Sequence, residues 1–304
     1  MKLNNVEIED TYAEAFGMRA ARLLITAADV EWARTAASVM TGFGTSVIGC
    51  NCETGIEGPL PESTPDGRPG VRVLLFATSS KQLEQQLVLR VGQCVMTCPT
   101  TACFDDLPSE ERLKVGSKLR FFGDGHQISK RIESSLSENG ATPRRLWRIP
   151  VMDGEFVVED KVGTRKAVAG GNFFIMGRTE EDTSRAARAA VRAMREIPGI
   201  IMPFPGGVVR SGSKIGSKYR KLIASTNSPY CPTLRGQVES ALPPGASCCL
   251  EIVVDGLDEE SIGRAMAVGI RAACTRGVVR ISAGNYGGKL GKFHFHLLQL
   301  LEKN

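Results

Sequence analysis

No run of 18 or more apolar residues occurs in the 304-residue chain, so no membrane-spanning helix is expected. The opening stretch "MKLNNVEIEDTYAEAF" carries acids where a secretory leader needs an apolar core, which points to a cytoplasmic protein. Nine cysteines are present, but no C-x-x-C, and the three histidines lie away from them. Zinc-ligand spacing is therefore missing, and no metal site is expected. An odd cysteine count favours free thiols in a reducing compartment, with Cys248, Cys249 and Cys274 packing as small hydrophobes. G-x-S-x-G is absent and no histidine has an obvious Ser or Cys partner, so a nucleophilic triad is not evident. A Walker A loop is not matched either, because Gly212 and Gly216 are too close. Finally, no Gly-rich phosphate turn follows the first strand, which disfavours a doubly wound parallel sheet.

What the chain has is a repeated design. Four segments pair a short β-rich run and a polar turn with an amphipathic helix. They begin at "ARLLITAADVEW", "VRVLLFATSSKQ", "GNFFIMGRTEED" and "CCLEIVVDGLDEE". Asp29, Ser79 or Ser80, Thr179 and Asp258 are placed to cap those helices. In the last helix, Ile262, Met266, Ile270 and Ala273 share one face. A further strand is expected after each helix: "TSVIGC" and "LRFFGDG" in the first half, "GIIMPFP" and "GVVRISA" in the second. The order is then βαββαβ, twice, an α+β fold of two ferredoxin-like (split β-α-β) lobes related by internal duplication. The expected lobes are residues 1–145 and 146–304. The second would open with a hairpin turning at Asp153-Gly154 and carry a long insert at 211–247. A matching insert is expected at 51–70; loops this long tend to be functional or disordered.

The net charge of +5 is concentrated in "RSGSKIGSKYRK" and around "PRRLWR", which points to an anionic partner. In the first stretch Arg210, Lys214, Lys218, Arg220 and Lys221 alternate with Gly212, Ser213, Gly216 and Ser217. Glycines let backbone N–H groups approach an anion, and the cations supply charge; a solvated cationic loop is the plainer alternative. Tyr219 is the one interleaved aromatic, too little for a nucleic-acid surface. Glu251 stands out in "CCLEIVVDG" as a carboxylate among strand residues that favour burial. Burial would raise its pKa and suit a general acid, whereas pairing with a cation on an open sheet face would be structural. Gln93, Thr97, Thr100 and Thr101 read as caps and turns. The glycines of "GGNFFIMG" and "GNYGGKLG" serve turns or close ligand approach, and His294 and His296 share one strand face.

Several long strings carry the reading further: "NNVEIEDTYAEAF", "TGFGTSVI", "TPDGRPG", "GQCVMTCPTTACF", "FPGGVVRSGSKIGSKY", "ASTNSPYCPTLR" and "EIVVDGLDEESI". Together they resemble the formylmethanofuran–tetrahydromethanopterin formyltransferase family, over about residues 3–298. The resemblance implies a cytoplasmic homotetramer that moves a formyl group between methanofuran and N5 of tetrahydromethanopterin. It implies no metal or prosthetic group, no nucleic acid and no membrane; the two C1 carriers are substrates. Archaeal members tend to be strongly acidic. A pI near 8.7 instead looks like the bacterial type, a subunit of a formyltransferase/hydrolase complex with hydrolase subunits as partners. The substrates have anionic tails, so Arg210, Lys214, Lys218, Arg220, Lys221 and Tyr230 become the expected binding residues. The resemblance also locates an active-site glutamate in the strand of Glu251, the expected acid, and Asn227 is the expected oxyanion donor. A non-catalytic subunit that carries cofactor is the alternative reading.

Overall fold

A computed structural model describes residues 1–132, 144–212, 214–289 and 291–303. Ser213 of the basic stretch lies outside the described residues, as do Pro143 of "PRRLWR" and Leu290 of "GNYGGKLG". The fold is α+β, and the chain divides into two compact units: residues 18–167, and residues 1–17 with 168–304. None of the described helices is long and apolar enough to cross a membrane.

In the unit formed by residues 18–167, the strand Tyr12–Thr26 (from Met18 onward) pairs antiparallel with Gly70–Ala77 and with Ala102–Asp105. Glu53–Ile56 pairs antiparallel with the outer edge of Gly70–Ala77. Counting the four strands in chain order, the sheet reads 4-1-3-2. Two helices follow the first and third strands, Val30–Thr41 and Ser80–Arg90. Asp29 and Ser79 cap them, accepting from the backbone N–H of Trp32 and Gln82. Alternation along the strands sends Leu23, Ile25, Val73 and Leu75 to the helix face. There they bury against Ala33, Ala37, Met40, Leu83 and Leu87. Each large aliphatic so buried contributes about 1.5–3 kcal/mol. The hairpin Arg144–Val151 and Gly154–Glu159 belongs to this unit and not to the C-terminal one, with Val157 and Val158 paired in parallel with Ala102 and Cys103.

Two expected strands are helical instead. In "TSVIGC", the Ser46 hydroxyl accepts from the Ile48 N–H and starts a helical turn over Val47–Cys50; the strand comes after Asn51, whose φ is 62°. That strand, Glu53–Ile56, takes up the start of the expected insert, so the loop that remains is residues 57–69. "LRFFGDG" continues the short helix Gly116–Leu119 as a 3₁₀ turn. Its Phe121 and Phe122 are both 67% exposed, so these aromatics record an outward surface and not a buried strand. The fourth strand is Ala102–Asp105, every residue of which is buried.

The other unit has the same strand order. Arg165–Gly177 (from Val168) lies between Cys248–Gly256 and Val278–Ser282, antiparallel to both, and Ile200–Ile201 pairs with the far edge of Cys248–Gly256. Its helices are Glu180–Met194, capped by Thr179, and Glu259–Ala273, capped by Asp258. Val6–Ile8 adds a parallel strand beside Val278–Ser282. Phe173, Ile175, Ile252 and Val254 point at the helices and are buried. With a period of two, Phe174, Met176, Cys249 and Glu251 must point the other way. That helix-free face is covered by the insert, through Leu242, Ala246 and Tyr230 packed on Phe174, Met176 and Cys249.

Candidate active site

Glu251 stands opposite Phe174 in the antiparallel ladder, on the face the insert covers. After Ile200–Ile201 the chain leaves the sheet and returns at Val209. The Val209 N–H donates to the Glu251 carbonyl (2.7 Å) and the Glu251 N–H to the Val209 carbonyl (3.0 Å). This one bridge holds Arg210, Ser211 and Gly212 beside the Glu251 side chain. Gly212 has φ 54°, and a Cβ there would come within 3.2 Å of the Asn227 Cβ, so the two insert segments approach closely only with glycine at this position. Asn227 is held by its own carbonyl, which accepts from the Tyr230 N–H (3.0 Å) and the Cys231 thiol (3.5 Å). Tyr230 packs its ring on Phe174, 4.4 Å between centroids.

The result is a narrow crevice of about 30 Å³, lined by Phe174, Arg210, Asn227, Tyr230, Cys249 and Glu251 among others. Although Arg210 lines the same crevice, Glu251 makes no ion pair among the described residues, and burial alone pushes its carboxyl up to about 7. The Tyr230 phenol is also pushed up, first by burial and then by neighbouring acidic groups that include Glu251. A carboxyl poised near neutrality can give or take a proton at physiological pH, and an amide side chain beside it can donate to a developing oxyanion.

Farther along, the insert forms a two-stranded ribbon, Lys214–Ile215 with Ala224–Ser225. The Gly216 N–H donates to the Ile223 carbonyl (2.7 Å), and the Ser225 hydroxyl to the Gly216 carbonyl (2.8 Å). A second cavity of about 630 Å³ opens on it, lined by Lys214, Ser217, Lys218 and Tyr219 with neighbouring residues. The predicted residues thus fall into three places. Glu251, Asn227, Tyr230 and Arg210 meet at the crevice, and Lys214 and Lys218 meet at the ribbon cavity. Arg220 and Lys221 are exposed and line neither.

Other noted groups are structural. Thr97 and Thr101 hydroxyls donate to the carbonyls of Gln93 and Val95, around a π-helical turn at Val91–Val95. Gly170 donates its N–H to Asp255 (2.9 Å). His294 and His296 both lie against Tyr12, at 4.9 and 5.1 Å. Sequence reasoning did not single out Tyr286, whose phenol is pushed up by burial and then by the Glu251 charge. The only signal was its place among the glycines of "GNYGGKLG".

Comparison with known proteins agrees over the full chain. Residues 1–151 match the family model for formylmethanofuran-tetrahydromethanopterin formyltransferase, and residues 154–300 match the model of its proximal lobe. A formylmethanofuran–tetrahydromethanopterin formyltransferase of Methylococcus capsulatus is 54% identical, covering 99% of this chain and 100% of the relative. One subunit of the formyltransferase/hydrolase complex of Methylorubrum extorquens is 50% identical over 99% of this chain and 97% of its own. In the crystal structure of that complex with methylofuran, one polypeptide superimposes with a TM-score of 0.95 at 48% identity, over 100% of this chain and 99% of the other.

Proposed function

This chain belongs to the formylmethanofuran-tetrahydromethanopterin formyltransferase family, and from that premise we propose how its crevice carries out the transfer. The protein is a formyltransferase that acts between formylmethanofuran and tetrahydromethanopterin. In our reading both substrates bind together, and N5 of the pterin attacks the formyl carbon directly. A C–N bond to N5 forms and the carbonyl electron pair moves to oxygen. The side-chain amide of Asn227 donates to that oxyanion. As the carbonyl reforms, the bond to the furan amine breaks and Glu251 protonates the departing nitrogen. The proton lost from N5 returns to Glu251, so the carboxyl ends as it began. In reverse, the same protonated carboxyl starts the cycle, giving its proton to the departing N5 and regaining one from the furan amine. No metal or prosthetic group is required by these steps.

The observation that carries this reading is the buried Glu251 carboxyl, raised to about 7 and without an ion pair among the described residues, beside Asn227. Lys214 and Lys218 are the residues we assign to an anionic substrate tail, on the strength of the cavity they line. Binding energy collected there positions the reacting carbon. Arg210 and Tyr230 shape the crevice; Arg220 and Lys221 contribute longer-range attraction that salt screens.

The likeness to a subunit of the Methylorubrum extorquens complex supports assembly with hydrolase subunits, and a cytoplasmic location is our reading. A homotetramer is our reading of the chain's own quaternary state. The shared strand order, 4-1-3-2 with two helices in each unit, supports two ferredoxin-like lobes that arose by duplication. The decisive experiment follows 5-formyl pterin spectroscopically with purified protein and both substrates. Turnover by wild type, lost in Glu251→Gln, is expected. Binding of both substrates without turnover would instead favour a carrier role for this protein.

A further inference from the structure

Asn227 reaches the crevice from a segment with little regular structure behind it, a single 3₁₀ turn over Ser228–Tyr230. Hydrogen-bond geometry in such turns is poor, so a side chain carried on one is set by whatever else fixes the backbone. Three backbone bonds close this turn. The Ser228 N–H donates to the Thr226 carbonyl (3.0 Å), the Tyr230 N–H to the Asn227 carbonyl (3.0 Å) and the Cys231 N–H to the Ser228 carbonyl (3.1 Å).

The Cys231 side chain folds back over the start of the turn. Its thiol donates to the Asn227 carbonyl (3.5 Å), which thereby has a donor for each of its two lone pairs. The same sulfur meets the Thr226 hydroxyl at 3.3 Å. That hydroxyl is also 3.4 Å from the Ser211 carbonyl on the other arm of the insert, so its one proton serves either partner. Ser211 lies two residues beyond Val209, whose backbone bridges Glu251 in both directions. A run of contacts thus leads from the Glu251 backbone through Ser211, Thr226 and Cys231 to the backbone of Asn227. Ser211, Asn227, Cys231 and Glu251 all line the one crevice.

On the roles given above to Asn227 and Glu251, we propose that Cys231 and Thr226 are positioning residues that hold the Asn227 amide beside the Glu251 carboxyl. Both act through the Asn227 backbone. Sulfur contacts are individually weak, but precision is what the amide needs, since about 1 Å of misplacement can cost about 10²-fold in rate.

Two arms test this. The first needs no substrate: hydrogen exchange at the Ser228, Tyr230 and Cys231 amides, followed by mass spectrometry. Cys231→Ala removes both sulfur contacts, together worth about one ordinary hydrogen bond, and should speed that exchange about fivefold at an unchanged melting temperature. Cys231→Ser keeps a donor in place and should stay within about twofold of wild type. Thr226→Val keeps the shape, loses the hydroxyl and should shift exchange in the direction of Cys231→Ala. In the second arm, kcat of Cys231→Ala should fall about tenfold with KM for both substrates within about twofold, and Cys231→Ser should recover most of it. In an Asn227→Ala background, Cys231→Ala should cost nothing further, because the amide it serves is gone. Wild-type exchange and kcat in Cys231→Ala would overturn the proposal. Faster exchange at an unchanged kcat would make Cys231 purely structural and overturn it equally, as would a loss of kcat that persists in full when residue 227 is already alanine. If Asn227→Ala itself keeps wild-type kcat, the oxyanion reading falls, and the exchange arm alone decides whether Cys231 holds the turn. Should Cys231→Ala fail to fold, Thr226→Val carries both arms.

Discussion

Replacing Glu251 with Gln should trade activity for stability, and the size of the trade follows from the crevice. Burial lifts the carboxyl from 4.5 to about 7. An unfolded chain releases that proton near 4.5, while the folded protein keeps it until about 7. Between those values the folded state binds more protons, so stability falls as pH rises. At about 1.36 kcal/mol per pK unit, the full loss is about 3 kcal/mol, complete above about pH 7 and absent below about 4.5. Gln cannot ionise and does not suffer it. Urea unfolding of the two proteins at about pH 5 and about pH 8 measures the difference. At the higher pH the variant should be more stable by up to about 3 kcal/mol, an upper figure because the amide brings its own cost of burial. At the lower pH the gap should nearly close. Over the same range, wild-type transfer from formylmethanofuran should fall as pH rises through about 7, and the variant should lose about 10²–10⁴ in kcat. Parallel stability curves for the two proteins would refute the buried-acid assignment, whatever the kinetics.

Asn227→Ala should lower kcat by about 10²–10³ with little change in KM, if its amide donates to the oxyanion; a change confined to KM would mean it only binds. Lys218→Ala should raise the KM of one tailed substrate, and an unchanged KM for both would sink its docking role. Arg220, which lines neither the crevice nor the ribbon cavity, should matter only at low salt, so that the effect of Arg220→Ala vanishes by about 0.15 M. Thr179→Ala removes a helix cap whose hydroxyl accepts from the Asp182 N–H (3.1 Å), and should cost about 1 kcal/mol in denaturant unfolding without touching activity.

The helices were the most legible part of the sequence. Asp29, Ser79, Thr179 and Asp258 each sit directly before an amphipathic run, and capping is a local interaction fixed by neighbours in the chain. Strands read from β-rich runs were less secure, because the same residues also fit exposed surface. "LRFFGDG" presents its phenylalanines outward, and "TSVIGC" is claimed by a serine cap before it can extend. The site divides the same way. Glu251 was visible as an acid in an apolar strand, and the cations of the insert were visible as composition. Which cations matter was not: Lys214 and Lys218 line the ribbon cavity and Arg220 and Lys221 do not, a division only the folded chain makes.

By itself, the sequence determined the helix starts, the repeated β-α-β order, the family and the one carboxylate out of place, all of which depend on neighbours or on long strings of residues. The tertiary structure decided what that carboxylate meets. Val209, Asn227 and Tyr230 lie about 20 to 45 positions before it in the chain. Strand register and the return of the insert bring them together, and the burial that raises the Glu251 carboxyl exists only once that cover has folded over it.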